Sequence, residues 1–173
     1  AHQAVQQDHP GALLLLAPRH PRRAAVVADQ LARAGLATTR RSQSGSPAAD
    51  AAVYLVDTLG ELLHFYAASD FCFVGGSLAP VGGHNLREPA ALGRAILIGP
   101  HVDSCRDTAE ALEGAGAARM VADGAALTAA VRELAGDVDL RARMGQAGRR
   151  WSGEQGGALP ASLALIERLC RTP

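Results

Sequence analysis

Short apolar runs alternate with amphipathic stretches along most of the chain. Four runs predict strands buried on both faces, and they cover 12–17, 52–56, 71–74 and 95–98. Two shorter strands are predicted at 36–40 and 118–121. Turn residues and apolar spacings of three and four predict helices over 21–34, 57–68, 88–92, 104–113 and 124–134. This order predicts one α/β domain over 1–173, a Rossmann-like parallel sheet with helices on both faces.

The two ends of the chain extend this pattern. Residues 1–10 predict an incoming helix that is already under way, and with no initiating Met we expect the chain to be cut from a longer one. After Asp137 the sequence predicts a basic helix at 140–150 and a break at 152–157. A terminal amphipathic helix at 159–170 then closes the 151–173 segment.

Composition narrows the function classes. The 173 residues carry 17 basic and 17 acidic side chains, and only 3% are aromatic, so neither charge nor stacking surface favours nucleic acid as a partner. The three cysteines are far apart, without metal-ligand spacing, and indicate reduced thiols. We expect no metal and no cofactor. The longest aliphatic run, Leu13 to Leu16, is too short to span a bilayer.

The candidate chemistry centres on a glycine-rich loop from Gly75 to Pro89. It follows the strand at 71–74 and runs into a helix, and its two glycine pairs leave backbone amides unshielded by side chains. A strand, a glycine-rich loop and a helix start together favour binding of an anion or a sugar.

Other unusual residues also follow strands. Arg19-His20 follows the first strand, Asp57-Thr58-Leu59-Gly60-Glu61 the third, and Gly99-Pro100-His101 the fifth. Because ligands of open α/β sheets bind outside the carboxyl ends of the strands, we expect these clusters and the glycine-rich loop to converge on one rim.

Structural explanations compete with these assignments. Thr58 and Glu61 have the spacing of a capping box, and for Glu61 we favour the cap over ligand contact. Asn85 has the spacing of an N-cap residue. For Glu88 we favour a carboxylate that takes both hydroxyls of a ribose. Arg19 is either a solvated charge or a forked contact to a phosphate.

The motifs together resemble one family. They are Arg19-His20-Pro21, Asp57-Thr58-Leu59-Gly60-Glu61, Gly75-Gly76-Ser77-Leu78, and Gly82-Gly83-His84-Asn85 followed by Glu88-Pro89. Their order is similar to that in the C-terminal domain of 3-deoxy-D-manno-octulosonic acid (Kdo) transferases, GT-B glycosyltransferases of lipopolysaccharide synthesis. The resemblance covers most of the chain, most densely 13–100.

The resemblance implies that the domain binds the CMP part of CMP-Kdo in an inverting transfer of Kdo to a lipid A precursor. It implies that Arg19 faces the phosphate, that Gly76, Ser77 and Leu78 line the phosphate and sugar loop, and that Glu88 holds the ribose. Asn85 and the turn of Leu59, Gly60 and Glu61 would shape the nucleotide pocket. Fixed donors that stabilise departing CMP need no metal.

The same resemblance places the catalytic base, the acceptor surface and any membrane anchor in an N-terminal domain. We therefore expect no catalytic base in this chain, weak CMP binding at best, and no sugar transfer by the chain alone. The full-length protein is expected at the cytoplasmic face of the bacterial inner membrane, with this fragment soluble.

The sequence departs from the family pattern at two places. Leu59 stands where Met is usual, and Leu86-Arg87 stands where Pro-Leu is common. Two alternatives therefore stay open. One alternative is a GT-B domain that uses a UDP-sugar, such as a 2-epimerase or a related transferase. The other is a non-catalytic nucleotide-binding module.

Overall fold

The computed structural model describes residues 1–155, so the predicted helix at 159–170 and Cys170 lie outside the described residues. The helices are α1 (His2–Asp8), α2 (Ala24–Arg33), α3 (Leu62–Ala68), α4 (Arg87–Ala91), α5 (Arg106–Gly114), α6 (Gly124–Gly136) and α7 (Val138–Glu154). The strands are β1 (Leu14–Leu16), β2 (Thr38–Arg40), β3 (Val53–Leu55), β4 (Phe71–Val74), β5 (Ala95–Ile98) and β6 (Ala118–Met120).

Two compact units divide the chain. Among the described residues, unit 1 comprises Ala1–Ser69 and Asp123–Val138, and unit 2 comprises Asp70–Ala122 and 139–155. Each unit holds a three-stranded sheet in which all pairs are parallel. The α/β class with parallel strands and flanking helices is thereby confirmed. The extent of the single predicted domain stays a prediction.

In unit 1 the strand order is β1-β3-β2. The central strand β3 is wholly buried, as its continuous apolar sequence predicts, and Val53 is the register partner of both Leu14 and Thr38. Helix α1 packs against α6, and the Nε of Arg132 donates to a carboxylate oxygen of Asp8 at 2.6 Å.

In unit 2 the strand order is β4-β5-β6, and all four residues of the central strand β5 are buried. Helix α7 of this unit packs closely against the end of α4 at two of its glycines. A Cβ at Gly145 would collide with the carbonyl oxygen of Gly93, and a Cβ at Gly148 would lie 3.2 Å from that of Ala90. The small residues of α7 thus allow close packing beside α4.

The structure corrects several predicted bounds. Strands β4 and β5 match their predictions, whereas the helix predicted over 21–34 begins as a 3-10 turn, Pro21–Arg23, before α2. The break predicted from residue 152 is wrong in its first residues, because α7 continues to Glu154. Trp151 is only 8% exposed, so burial of a large side chain holds the last turn of α7 despite Gly153. None of the helices within residues 1–155 combines the length and apolar character that a membrane span requires.

Candidate functional site

The glycine-rich loop of unit 2 folds back on itself. The amide of Gly83 donates to the carbonyl of Gly76 at 2.9 Å, and the His84 ring lies against Gly76. Gly76 has φ 73, and a Cβ there would be 3.0 Å from both Cε1 and Nε2 of His84. Only glycine meets both the positive φ and the close approach without strain.

Ser77 fixes the start of this loop. It is 1% exposed, and its hydroxyl donates to the carbonyl of Val74 at 2.6 Å while accepting from the amide of Gly99 at 2.8 Å. Its carbonyl also accepts from the amide of His101 at 2.9 Å. The hydroxyl of Ser77 therefore binds the protein, and contact with a ligand would use its backbone amide. Among residues 1–155, the amides of Gly76, Ser77 and Leu78 have no hydrogen-bond partner.

The second glycine pair of the loop rests on the segment before α5. The amide of Ser104 donates to the carbonyl of Gly82 at 2.9 Å, and a Cβ at Gly83 would lie 2.9 Å from the Sγ of Cys105. Burial raises the pKa of the Cys105 thiol. The thiol therefore serves as a neutral packing group beneath the loop.

The entry to α4 differs from its prediction. Asn85 is not the N-cap, because that position is Leu86, and the Oδ1 of Asn85 accepts from the amide of Arg87 at 3.0 Å. Leu86 is buried, so its apolar side chain fixes the helix start where the sequence favoured a polar cap. Glu88 is half-buried in the first turn of α4. The guanidinium of Arg87 lies over the Trp151 ring at 5.4 Å from its centroid.

In unit 1 the polar residues after β3 pair with the residues that end β2. The Nε of Arg40 donates to Asp57 Oδ2 at 2.9 Å, and the amide and hydroxyl of Ser42 donate to the same carboxylate at 2.8 and 2.7 Å. Burial alone would raise the pKa of Asp57, but the hydrogen bonds from Ser42 and Arg40 outweigh it and lower the pKa. Asp57 is therefore a buried, ionised anchor.

The predicted capping box of Thr58 and Glu61 is wrong. Glu61 is itself the N-cap of α3, and no side-chain capping bond is made there. Its carboxylate instead takes a fork from Arg41, whose Nη2 lies 2.7 Å from Oε1, and it also accepts from the Thr58 hydroxyl. A guanidinium gives stronger, charge-assisted hydrogen bonds than a neutral amide, which explains the exchange of partners. The hydrogen bond from Arg41 lowers the pKa of Glu61, aided by that from Thr58.

Between Asp57 and Glu61 lies an exposed turn. Leu59 is 81% exposed, and Gly60 has φ 81. Arg19, which follows β1, is exposed. The structure thus brings the 57–61 residues together with Arg40 and Arg41, which the sequence reasoning missed. Two consecutive arginines at the end of one predicted strand, and an aspartate directly after the next predicted strand, were the available signal.

The sequence of the chain is similar to those of known 3-deoxy-D-manno-octulosonic acid transferases. A 3-deoxy-D-manno-octulosonic acid transferase of Bordetella pertussis is 40% identical over 168 residues, which are 96% of this chain and 39% of that relative. A protein of the same name from Haemophilus influenzae is 38% identical over the same shares. The chain is a homologue of the Kdo transferases. It spans about two fifths of the length of these relatives. No family model matches the chain.

A solved structure extends the likeness from sequence to fold. The C-terminal CMP-Kdo binding domain of WaaA from Acinetobacter baumannii superposes with a TM-score of 0.76 at 25% identity, over 86% of this chain and 95% of that one. This Kdo transferase homologue therefore has the fold of a domain described as binding CMP-Kdo.

Proposed function

We propose that this chain is the donor-binding domain of an inverting Kdo transferase and that it binds CMP-Kdo through the CMP moiety. The observation that carries the proposal is the likeness to a CMP-Kdo binding domain, which covers nearly all of that domain. The homology to Kdo transferases over 96% of the chain supports it independently.

In unit 2 we assign phosphate and ribose binding to the glycine-rich loop and α4. The amides of Gly76, Ser77 and Leu78 are suited to phosphate oxygens, since they bind nothing else within the described residues. The half-buried carboxylate of Glu88 is suited to the two ribose hydroxyls. Asn85, which organises the entry to α4, shapes the nucleotide site from its edge.

In unit 1 we assign nucleotide contacts to Arg19 and to the turn of Leu59, Gly60 and Glu61. Arg19 is exposed, carries a forked cation suited to a phosphate, and follows a strand end. The exposed Leu59 offers an apolar surface, and the positive φ of Gly60 lets the backbone turn beside it.

These groups act on the leaving group of the transfer. The bond between the anomeric carbon of Kdo and the CMP phosphate oxygen breaks, and CMP departs with the electron pair. An acceptor hydroxyl forms the new bond from the opposite face, and its proton passes to a base that we place outside this chain. Fixed hydrogen-bond donors that neutralise the departing phosphate lower the barrier electrostatically.

For the whole protein we propose a lipid A precursor as the acceptor and the cytoplasmic face of the inner membrane as the place of action. The homology to Kdo transferases supports these assignments. A chimera in which this chain replaces the matching segment of the Bordetella pertussis relative would test them. Transfer of Kdo to a lipid A precursor in membrane preparations is expected, and a folded but inactive chimera would contradict the assignment.

Titration of the chain with CMP, UMP and UDP tests donor binding. Trp151 of α7 is the sole tryptophan, and its ring lies beside Arg87 of α4, the helix that also carries Glu88. Its fluorescence is therefore a suitable signal of CMP binding. We expect CMP to bind more tightly than UMP or UDP. Glu88→Ala should weaken CMP binding roughly ten- to hundredfold, about 1.5 to 3 kcal/mol, by removing a charged hydrogen-bond partner. The control Glu110→Ala removes an exposed carboxylate of α5 and should change nothing.

The outcomes separate the alternatives. Preference for UDP would replace the cytidine assignment by a UDP-sugar enzyme of the same fold. An unchanged CMP affinity in Glu88→Ala would show that this carboxylate does not hold the ribose.

A further inference from the structure

The exposed turn of unit 1 is held from both sides by ion pairs that originate in one dipeptide. Arg40 is the last residue of β2, and Arg41 follows it. Arg40 binds the carboxylate of Asp57 before the turn, and Arg41 binds that of Glu61 after it. The backbone reinforces this arrangement, because the amide of Arg41 donates to the carbonyl of Leu55 at the end of β3. The arginines are therefore placed by the sheet itself.

The contact of Arg41 with Glu61 is a fork with three short distances. Nη2 lies 2.7 Å from Oε1, and Nε lies 3.2 Å from both carboxylate oxygens. Such a fork fixes the plane of the carboxylate as well as its position. The Thr58 hydroxyl donates to the same group, so Glu61 is tied to both the β2 segment and the start of its own turn.

The turn needs such support. Leu59 is 81% exposed and Gly60 has φ 81, a conformation that glycine leaves easily when the chain is free. Asp57, buried and bound by Arg40 and Ser42, anchors one end of the turn. The other end of the turn is Glu61. Within the described residues, its carboxylate is held only by the fork from Arg41 and by the hydroxyl of Thr58.

We propose that Arg41 is a positioning residue of the nucleotide site: by forking onto Glu61 it holds the Leu59–Gly60 turn in the conformation that receives the nucleotide. This inference rests on the proposed function. Arg41 itself touches no ligand. It removes the ordering cost that a mobile turn would add to binding.

The test compares Arg41→Ala with a matched control, Arg132→Ala. Arg132 makes a surface ion pair of similar length with Asp8, at 2.6 Å, on helices away from the turn. Arg41→Ala should weaken CMP binding about five- to thirtyfold, the effect expected when the backbone of about one residue must be newly ordered on binding. Arg132→Ala should leave CMP affinity unchanged while shifting the thermal midpoint by a similar small amount. Arg41→Lys, which cannot fork, should give an intermediate affinity.

Two further readouts separate positioning from general stability. The backbone amide of Gly60 should become more mobile in NMR relaxation in Arg41→Ala without CMP, and it should keep its order in Arg132→Ala. In a double-mutant cycle, Arg41→Ala should have no added effect on CMP affinity in the Glu61→Ala background.

Each outcome has a distinct meaning. If the unmodified chain shows no CMP binding, the proposed function fails first and this inference falls with it. If the unmodified chain binds CMP but Arg41→Ala binds equally well, or if Gly60 keeps its order, the positioning role is overturned and the proposed function stands. Additive losses in the cycle would mean that Arg41 contacts the ligand directly, which also overturns it.

Discussion

The hydroxyl of Ser77 joins two strand ends of unit 2, since it accepts from the buried amide of Gly99 at 2.8 Å and donates to the carbonyl of Val74 at 2.6 Å. The loops after β4 and β5 are thereby fixed relative to each other. The three amides assigned to the phosphate gain their fixed orientation from this bond.

Loss of this hydroxyl should therefore destabilise the fold as well as the loop. Ser77→Ala leaves the buried amide of Gly99 without its partner, at a cost of about 1 to 3 kcal/mol in the free energy of unfolding. Urea denaturation measures the change. Ser46→Ala, at an exposed serine of unit 1, is the control and should cost nothing measurable. A neutral Ser77→Ala would show that Gly99 finds another acceptor.

Gly99 should tolerate no side chain. A Cβ there would overlap the carbonyl group of Ser77, closer than real contacts allow, so Gly99→Ala must displace the loop or unfold unit 2. The control is Gly114→Ala at the end of α5, where nothing lies within 4 Å of an added Cβ. That change should be neutral or stabilise by up to about 1 kcal/mol. Equal thermal midpoints for the two variants would contradict the packing described.

The stacking of Arg87 on Trp151 should be visible in fluorescence. Trp151 is 8% exposed and is the sole tryptophan, so its emission should be blue-shifted in the native chain. Arg87→Ala uncovers the ring, which predicts a red shift and a loss of about 0.5 to 1 kcal/mol in unfolding free energy. Arg106→Ala, an exposed arginine of α5, should leave the emission unchanged. No red shift in Arg87→Ala would place the guanidinium away from the ring.

Stability should fall in acid through the carboxylates of unit 1. Asp57 and Glu61 both have pKa values below their ordinary ones. Their ionised forms therefore contribute their full stabilisation at a pH above the ordinary carboxylate pKa values of about 3.9 to 4.3. That stabilisation is lost as the pH falls through the lowered values. The charges facing Glu61 are those of Arg41 and His64, and the charge facing Asp57 is that of Arg40.

Denaturation at stepped pH measures this dependence. Asp57→Asn should flatten the acid limb of the stability curve, whereas Asn at the exposed Asp29 should leave its slope unchanged. If the Asp57→Asn curve runs parallel to that of the unmodified chain, the partners of Asp57 do not lower its pKa in the folded state.

The sequence predicted the elements that its own local pattern determines. Strands β4 and β5 are continuous apolar runs bounded by polar or glycine residues, and their ends coincide with the predicted ones. The glycine-rich loop was also found, because glycine pairs after a strand are a local signal. The side chains that organise it were not, since Ser77 binds Gly99 22 residues away.

The caps failed for the same physical reason. The spacing of Thr58 and Glu61 describes only the local chain, whereas the partner that decides the orientation of Glu61 is Arg41, 20 residues earlier and directly after strand β2. Asn85 likewise lost the cap position to Leu86, whose burial is a property of the packed unit. Local spacing cannot predict which distant charge or apolar surface will compete.

The most direct test of CMP binding is an amide map of the glycine-rich loop during titration with CMP. In proton–nitrogen correlation spectra, we predict saturable shifts at the amides of Gly76, Ser77 and Leu78, smaller shifts at equal concentrations of UMP, and none at Gly114 or Glu110. The absence of any saturable shift at the three loop amides, or equal shifts with CMP and UMP, would contradict the account.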